Sequence, residues 1–417
     1  MAMSMKEKHV VTREMALRYR KARKKEKGRM LDELVKLTGY TRCYARFVVR
    51  RNAKNLWIKG NDGKPVRVVA DTRKKAVRKK KKLYGPTVFT ALRTLWIVCD
   101  CICGKRLAPY LKEFIQALER HGELTLKSSV REKLLTISAA TIDRMLRGEK
   151  KTFMGKGKSW TKPGTLLKHQ IPIRTFSEWE DVKPGFLEMD LVGHEGGATT
   201  SADVIQTLDM TDVSSAWTET QAVRNKAEVF VFDGIETIRK RLPFDILGLD
   251  SDNGSEFIND HLFRYCQDNQ ITFTRGRPYR KNDSCYVEQK NYSIVRRHVG
   301  YLRYDTDEEL ALLNALYRFV RLYTNFFQPV MKLLKKERHG SRVRKHYDTP
   351  TTPYQRLMSS PFVEAQRKDA LKKEYELLNP AELKRKITKG QQKLIRYVQF
   401  KEILRRKIRE KKQSHLQ

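Results

Sequence analysis

In the N-terminal third of the chain, apolar residues recur at helical spacing. Within residues 30–51, Leu31, Leu34 and Val35 form one stripe, Gly39 supplies a turn, and Thr41 is placed to cap a second helix. Tyr44, Phe47 and Val48 would give that helix its inward face, leaving Arg42, Arg46 and Arg50 outside. The segment predicts a helix, a tight turn and a helix. Residues 130–147 repeat the logic, with Ser138 as cap and Arg144 and Arg147 near the end of the second helix. From Glu149 to Lys183 the period is lost, and Gly155, Gly157, Pro163, Gly164 and Pro172 among many lysines mark a linker that Pro184 closes.

Beyond the linker the pattern becomes that of strands. Residues 185–192, 204–210 and 216–223 predict three of them, 226–242 a helix and 245–249 a fourth strand. A helix over 260–268, a strand over 271–274 and a helix from about Ser284 to Val299 follow. Three strands and then alternating helix and strand describe a mixed sheet flanked by helices. Residues 310–320 predict a further helix, closed by Tyr323–Pro329, whose aromatics are expected to pack the end of the core rather than to stack on splayed bases. Residues 346–357, with Pro350 and Pro353, predict an extended connector, and 381–412 a strongly basic helix. The expected fold class is multidomain: an all-α helix-turn-helix region, an α/β core and a mainly α basic C-terminal region. The expected divisions are 1–70, 71–148 (a second helix-turn-helix with a basic arm), 149–183 (linker), 184–300 and 301–417.

Charge then narrows the function. Against 48 Asp+Glu stand 87 Lys+Arg, a net charge of +39 with a sequence pI near 10.0, which points to a polyanionic partner. Thr41, Arg42, Arg46 and Arg50 suit a helix entering a major groove, where arginines meet phosphates and guanine edges. A basic run at residues 73–82 separates the two helical pairs; it reads as a phosphate-tracking arm or as a nuclear localisation patch. No run of about 18 uncharged apolar residues is present, and the first residues lack the apolar core of a signal peptide. A cytoplasmic, nucleoid-associated protein is expected. The six cysteines, three of them alternating at Cys99, Cys101 and Cys103, do not follow common zinc spacings and are expected as free thiols.

Three acids carry the chemistry: Asp190 at the end of an apolar strand, Asp252 in Asp252-Asn253-Gly254, and Glu288 with 35 residues between it and Asp252. Period two puts Phe186, Glu188, Asp190 and Val192 on one strand face and Ile246, Gly248, Asp250 and Asp252 on another. Tyr292, Val295 and Val299 would form a helical stripe with Glu288 on its extension, and a carboxylate on a packing face is costly unless something binds it. Two strand-end aspartates beneath a helical glutamate would hold two divalent ions about 3.5 to 4 Å apart, suited to phosphodiester chemistry. Glu188 and Asp250 share the faces of Asp190 and Asp252 and compete for those roles, and Asp252-Asn253-Gly254 is also a good turn sequence.

The order Asp190, then Asp252-Asn253-Gly254-Ser255-Glu256-Phe257, then Arg277-Pro278-Tyr279 leading to Val287-Glu288-Gln289-Lys290-Asn291, resembles the integrase-type DDE transposases of bacterial insertion sequences. These are relatives of retroviral integrases with a ribonuclease H-like core. The resemblance covers about Lys183 to Val299. It implies Asp252 as the second acid and Glu288 as the third, with Asp190 bridging two Mg2+ ions and Mn2+ able to substitute. It also implies that Asn291 faces a DNA end, with Lys290 and Arg296 on the same helix as further DNA contacts. Magnesium-dependent cleavage would free 3′-hydroxyl ends that attack target DNA. The paired helix-turn-helix units stand where retroviral integrases carry a zinc knuckle, and would bind terminal inverted repeats. Double-stranded DNA and further copies of the chain are the expected partners. Two other classes stay open: a DNA-binding regulatory or architectural protein that keeps the fold without cutting, and a structure-selective nuclease.

Overall fold

A computed structural model of the chain describes residues 3–52, 55–59, 65–69, 83–153, 183–197, 203–251, 256–276, 285–339 and 341–414. They fall into two compact units, Met1–Leu83 and Tyr84–Gln417.

The first unit holds α1 (Met5–Lys21), α2 (Lys24–Thr38), α3 (Arg42–Arg51) and an antiparallel pair, β1 (Asn55–Lys59) and β2 (Pro65–Val69). Ser4 and Glu7 form a capping box on α1. Gly39, at φ +69°, ends α2 in the left-handed conformation that favours glycine, and the Thr41 hydroxyl caps α3 by accepting from the Tyr44 N–H. The expected helix, turn and helix are therefore present. The expected inward face of α3 is not: Tyr44 and Phe47 are 47% and 50% exposed, while Ala45 and Val49 are buried against Ala16 and Leu34. Small residues let these helices approach closely, so the rings are left outside. There Tyr40 meets Tyr44 edge-on, Tyr44 stacks on Phe47, and Arg51 lies over the Phe47 ring at 4.5 Å.

The second unit begins with α4 (Pro86–Val98), α5 (Gly104–Arg120), α6 (Ser128–Thr136), α7 (Ala139–Met145) and α8 (Arg147–Phe153). Leu107, Tyr110, Leu111, Phe114, Ile115 and Leu118 form the buried stripe of α5. Ser138 caps α7 as expected, accepting from the Thr141 N–H. The basic run 73–82 and residues 154–182 of the expected linker lie outside the described residues.

Next come β3 (Phe186–Gly193), β4 (Gln206–Asp212), β5 (Thr218–Val223), α9 (Glu228–Arg239), β6 (Gly248–Ser251), α10 (Asp260–Asp268) and β7 (Thr272–Arg275). The five strands form one sheet in the order β5-β4-β3-β6-β7, antiparallel from β5 to β3 and parallel from β3 to β7. A mixed sheet flanked by helices is the core expected from the order of strands and helices along the sequence. The fourth strand starts later than expected because the Leu247 and Gly248 N–H groups both donate to the Gly185 carbonyl, which holds that stretch outside the ladder. Gly185 itself sits at φ +123°, where a Cβ would lie 2.6 Å from the Asp245 carbonyl oxygen.

A helix then runs from α11 (Cys285–Lys290) through a π-helical turn (Asn291–Arg296) into α12 (Arg297–Val299), followed by α13 (Asp307–Phe327). Asn314 and Asn325 of α13 each bond the backbone N–H and C=O of Ala222 and Thr218, which satisfies the outer edge of β5. Tyr323, Phe326 and Phe327 are buried as expected. A hairpin, β8 (Leu333–His339) with β9 (Arg342–Tyr347), precedes α14 (Pro353–Ser359), so the extended connector expected over 346–357 is confined to residues 348–352 between β9 and α14. Pro353 starts that helix because its fixed φ suits the first helical position, with Thr352 as cap. α15 (Ala365–Leu377) and the long α16 (Pro380–Ser414) complete the chain, α16 packing along α13. Among the described residues, no helix is long and apolar enough to cross a membrane.

Leu249, fully buried on β6, should be one of the positions most sensitive to truncation. Leu249→Ala is expected to cost about 2–5 kcal/mol in urea unfolding of the full chain; a loss under about 0.5 kcal/mol, typical of surface sites, would contradict this packing.

Candidate active site

Strand pairing places one polar row across all five strands: Thr274, Asp250, Glu188, Thr211 and Thr218 are successive register partners on one face of the sheet. All five are buried, Glu188 completely. The opposite face carries Leu187, Met189, Leu208, Met210, Leu249 and Phe273, an ordinary apolar core. Burial of the polar face is tolerable only with partners. Thr274 donates to Asp250 Oδ1 at 2.6 Å, Thr211 and Thr218 share a hydrogen bond of 3.1 Å, and Glu188 Oε2 accepts from the Val287 N–H at 2.9 Å.

Asp190 lies one pleat beyond Glu188, in register with Asp209 on β4. It is only half-buried. Its Oδ1 accepts from the Leu191 N–H at 2.8 Å, and its Oδ2 accepts from Asn291 Nδ2 at 2.5 Å. Thus Asn291 meets Asp190 directly. α11 packs on β3 and β4, and Glu288 stands in its first turn with an exposed side chain. The buried positions of this helix are Val287, Lys290, Ile294, Val295, His298 and Val299, whereas Tyr292 is 59% exposed. A π turn shifts the phase of side chains around the axis, so the expected stripe through Tyr292 does not form.

Of the competing acids, Glu188 and Asp250 are enclosed and engaged in the polar row, while Asp190 reaches the open side. Asp252, with residues 252–255, lies outside the described residues, as does the run 277–284. Among the described residues, no group of three potential metal ligands stands together. The two described acids, Asp190 and Glu288, offer carboxylate oxygens only. That donor chemistry fits a hard divalent cation such as Mg2+.

Two buried charges beneath the site were not anticipated in these roles. Asp209 is fully buried, and neither carboxylate oxygen has a hydrogen-bond partner among the described residues. Burial pushes its carboxyl well above the usual range; the Lys290 charge opposes this and Asp190 adds to it. Lys290, expected at DNA, is 8% exposed, and its Nζ points to the Ala216 carbonyl at 3.4 Å. Burial lowers it to about 8, with Asp209 opposing. Further along the same face, His194 Nε2 bonds Thr207 Oγ1 at 2.8 Å, and Thr207 bonds the Tyr317 hydroxyl. Burial holds this imidazole neutral, at about 3. The signal for this face was the alternation Thr207, Asp209, Thr211 against Leu208 and Met210, which resembles a solvated strand face.

The remaining expected DNA contacts lie on several elements. On α3, Arg46 and Arg50 are exposed and Arg42 pairs with Asp32. Arg144 is exposed and folds back on Ala140 and Thr141, and Arg147 is exposed. Arg296 is half-buried, donating to the Gly193 carbonyl at 2.7 Å and lying over Tyr301.

Fold and site together define an α/β core with an acidic centre laid between a central strand and a π-turned helix. The uncharacterized protein y4rM of Sinorhizobium fredii (strain NBRC 101917 / NGR234) is 40% identical over 339 residues, 81% of this chain and 91% of that protein, and the chain belongs to its family. No family model matches the chain. Solved structures with some similarity include the HTLV-2 integrase catalytic core domain in complex with magnesium, 12% identical over 36% of this chain and 91% of that one, TM-score 0.27. The BIV integrase catalytic core domain is 20% identical over 41% and 91%, TM-score 0.26. A simian T-cell lymphotropic virus intasome in complex with PP2A regulatory subunit B56 gamma is 14% identical over 60% and 73%, TM-score 0.30.

If Lys290 is the counter-charge of Asp209, removing one alone strands the other. Lys290→Met should cost about 3 kcal/mol in unfolding, and adding Asp209→Leu should recover most of it. Additive losses in the double variant would show that the two groups are independent.

Proposed function

We propose that this protein is a DNA transposase of the DDE type, which binds the terminal inverted repeats of a mobile element, cleaves its ends and transfers the 3′-hydroxyl ends to target DNA. The observation that carries the reading is the meeting of Asp190 with Asn291, three residues after Glu288, across a half-open edge of the polar sheet face. In this reading Asp190, Asp252 and Glu288 hold two Mg2+ ions, with Mn2+ as a substitute. When bound, such ions activate the attacking oxygen and stabilise charge on the leaving one.

The chain's own residues have separate tasks. Asn291 fixes the Asp190 carboxylate through one oxygen, so its orientation is set before any ligand arrives. Glu288, exposed in the first turn of α11, presents its carboxylate on the solvent side of the same helix. Lys290 and Asp209 lie beneath, away from the substrate. The basic surface holds phosphates: Thr41 at the cap of α3, Arg42, Arg46 and Arg50 on it, and Arg144 and Arg147 after Ser138 read the repeats, and Arg296 and Asn291 approach the DNA end. Residues 1–148 act as the reader, 184–300 as the catalytic core and 301–417 as a basic support. The active form on paired ends is a homo-oligomer.

The test uses DNA from the flanks of the encoding gene, with Mg2+. The wild type should cleave the ends and join 3′ ends to target DNA, whereas Glu288→Gln should bind the ends and make no product. Binding without any metal-dependent product from the wild type would favour the non-cutting DNA-binding protein. Affinity should fall about a thousandfold between 50 and 200 mM salt if roughly six phosphates are neutralised; a shallow salt dependence would contradict the DNA reading.

A further inference from the structure

We propose that Glu188 is a positioning residue, whose buried carboxylate holds the first turn of α11 and thereby sets where Glu288 stands above β3. This rests on the reading of Glu288 as a metal ligand. The amides of a helix's first turn lack acceptors within the helix, and a buried one must find an acceptor elsewhere. Here the Val287 N–H, beside a side chain that is fully buried, donates to Glu188 Oε2 at 2.9 Å. A carboxylate is the strongest acceptor available for that amide, because the bond is charge-assisted and the helix N-terminus favours negative charge.

The strand makes this contact a ruler. Glu188 is paired on both sides, with Thr211 on β4 and Asp250 on β6, so its backbone has little freedom. Asp190 follows two residues later on the same face, roughly 6.5 Å along the strand. One carboxylate therefore grips the helix and the next faces the reaction. The residue gripped, Val287, is the immediate neighbour of Glu288. Glu188 is 0% exposed, so it acts through the helix and does not touch substrate.

The test compares Glu188→Ala and Glu188→Gln in the full chain by hydrogen exchange at the Val287 amide, DNA-end binding, and cleavage across a Mg2+ series. In Glu188→Ala the Val287 amide should exchange about tenfold faster or more, as expected for loss of a hydrogen bond to a charged group. End binding should be unchanged, cleavage should fall about a hundredfold, the usual effect of a group misplaced by roughly 1 Å, and half-maximal rate should need more Mg2+. Glu188→Gln keeps an oxygen acceptor and should restore most of both protection and cleavage; it also carries the comparison should Glu188→Ala fail to fold. Full cleavage by Glu188→Ala would overturn the inference. So would a folded Glu188→Gln that protects Val287 yet does not cut, since that result makes the charge itself the requirement. A wild type without any metal-dependent product sinks the transposase reading and this inference with it, while unchanged exchange at Val287 in a protein whose wild type cuts sinks the inference alone.

Discussion

The whole arrangement depends on a sheet face that is polar and yet buried. Carboxylates withdrawn from water cost several kcal/mol each unless bonded or neutralised, and this face holds Asp250, Glu188 and Asp209 within three adjacent strands. The elements laid over it are those able to meet that cost. Thr274 serves Asp250, the first turn of α11 serves Glu188, and Lys290 brings a positive charge to Asp209. A purely apolar helix could not cover this face. The helix that does cover it brings Asn291 to half-buried Asp190 and carries Glu288 exposed in its first turn.

The same logic explains how the helix is anchored at its far end. Asp100 lies in the turn between α4 and α5, in a left-handed conformation at φ 58°. It accepts from Arg297 Nε of α12 at 2.7 Å and from Lys384 Nζ of α16 at 2.6 Å. The two basic groups hold the Asp100 carboxyl below its usual value against the opposing effect of burial. Lys401 on α16 is likewise buried between Asp305 and Glu309. So the helical layer before the sheet, the π-turned helix and the basic C-terminal helix are tied together by ion pairs, and part of the chain's large positive excess serves structure as well as surface.

Much of this was legible in the sequence. Strong periodicity located the strands, the helix pairs and the caps at Thr41 and Ser138, because capping chemistry and hydrophobic spacing are local. Faces were harder. Tyr44 and Phe47 read as core by size, but close helix approach selected Ala45 and Val49. Tyr292 read as inward by a period of 3.6, which the π turn interrupts. The role of Glu188 was hidden because an acid inside a strand reads as a rival for catalysis until its partner amide, 99 residues away, is known. The Coulombic influence of Lys290 on Asp209 arises only through strand pairing and helix docking, which no local pattern announces.

In the proposed reading, Asp190, Asp252 and Glu288 would surround one divalent-metal centre. The most direct measurement replaces Mg2+ with Fe2+ and maps backbone scission from locally generated hydroxyl radicals by mass spectrometry of the full chain. Cuts should cluster near residues 190, 252 and 288 and be suppressed by excess Mg2+. Scission spread along the acidic residues of the surface, or confined to a site elsewhere and insensitive to Mg2+, would contradict that reading.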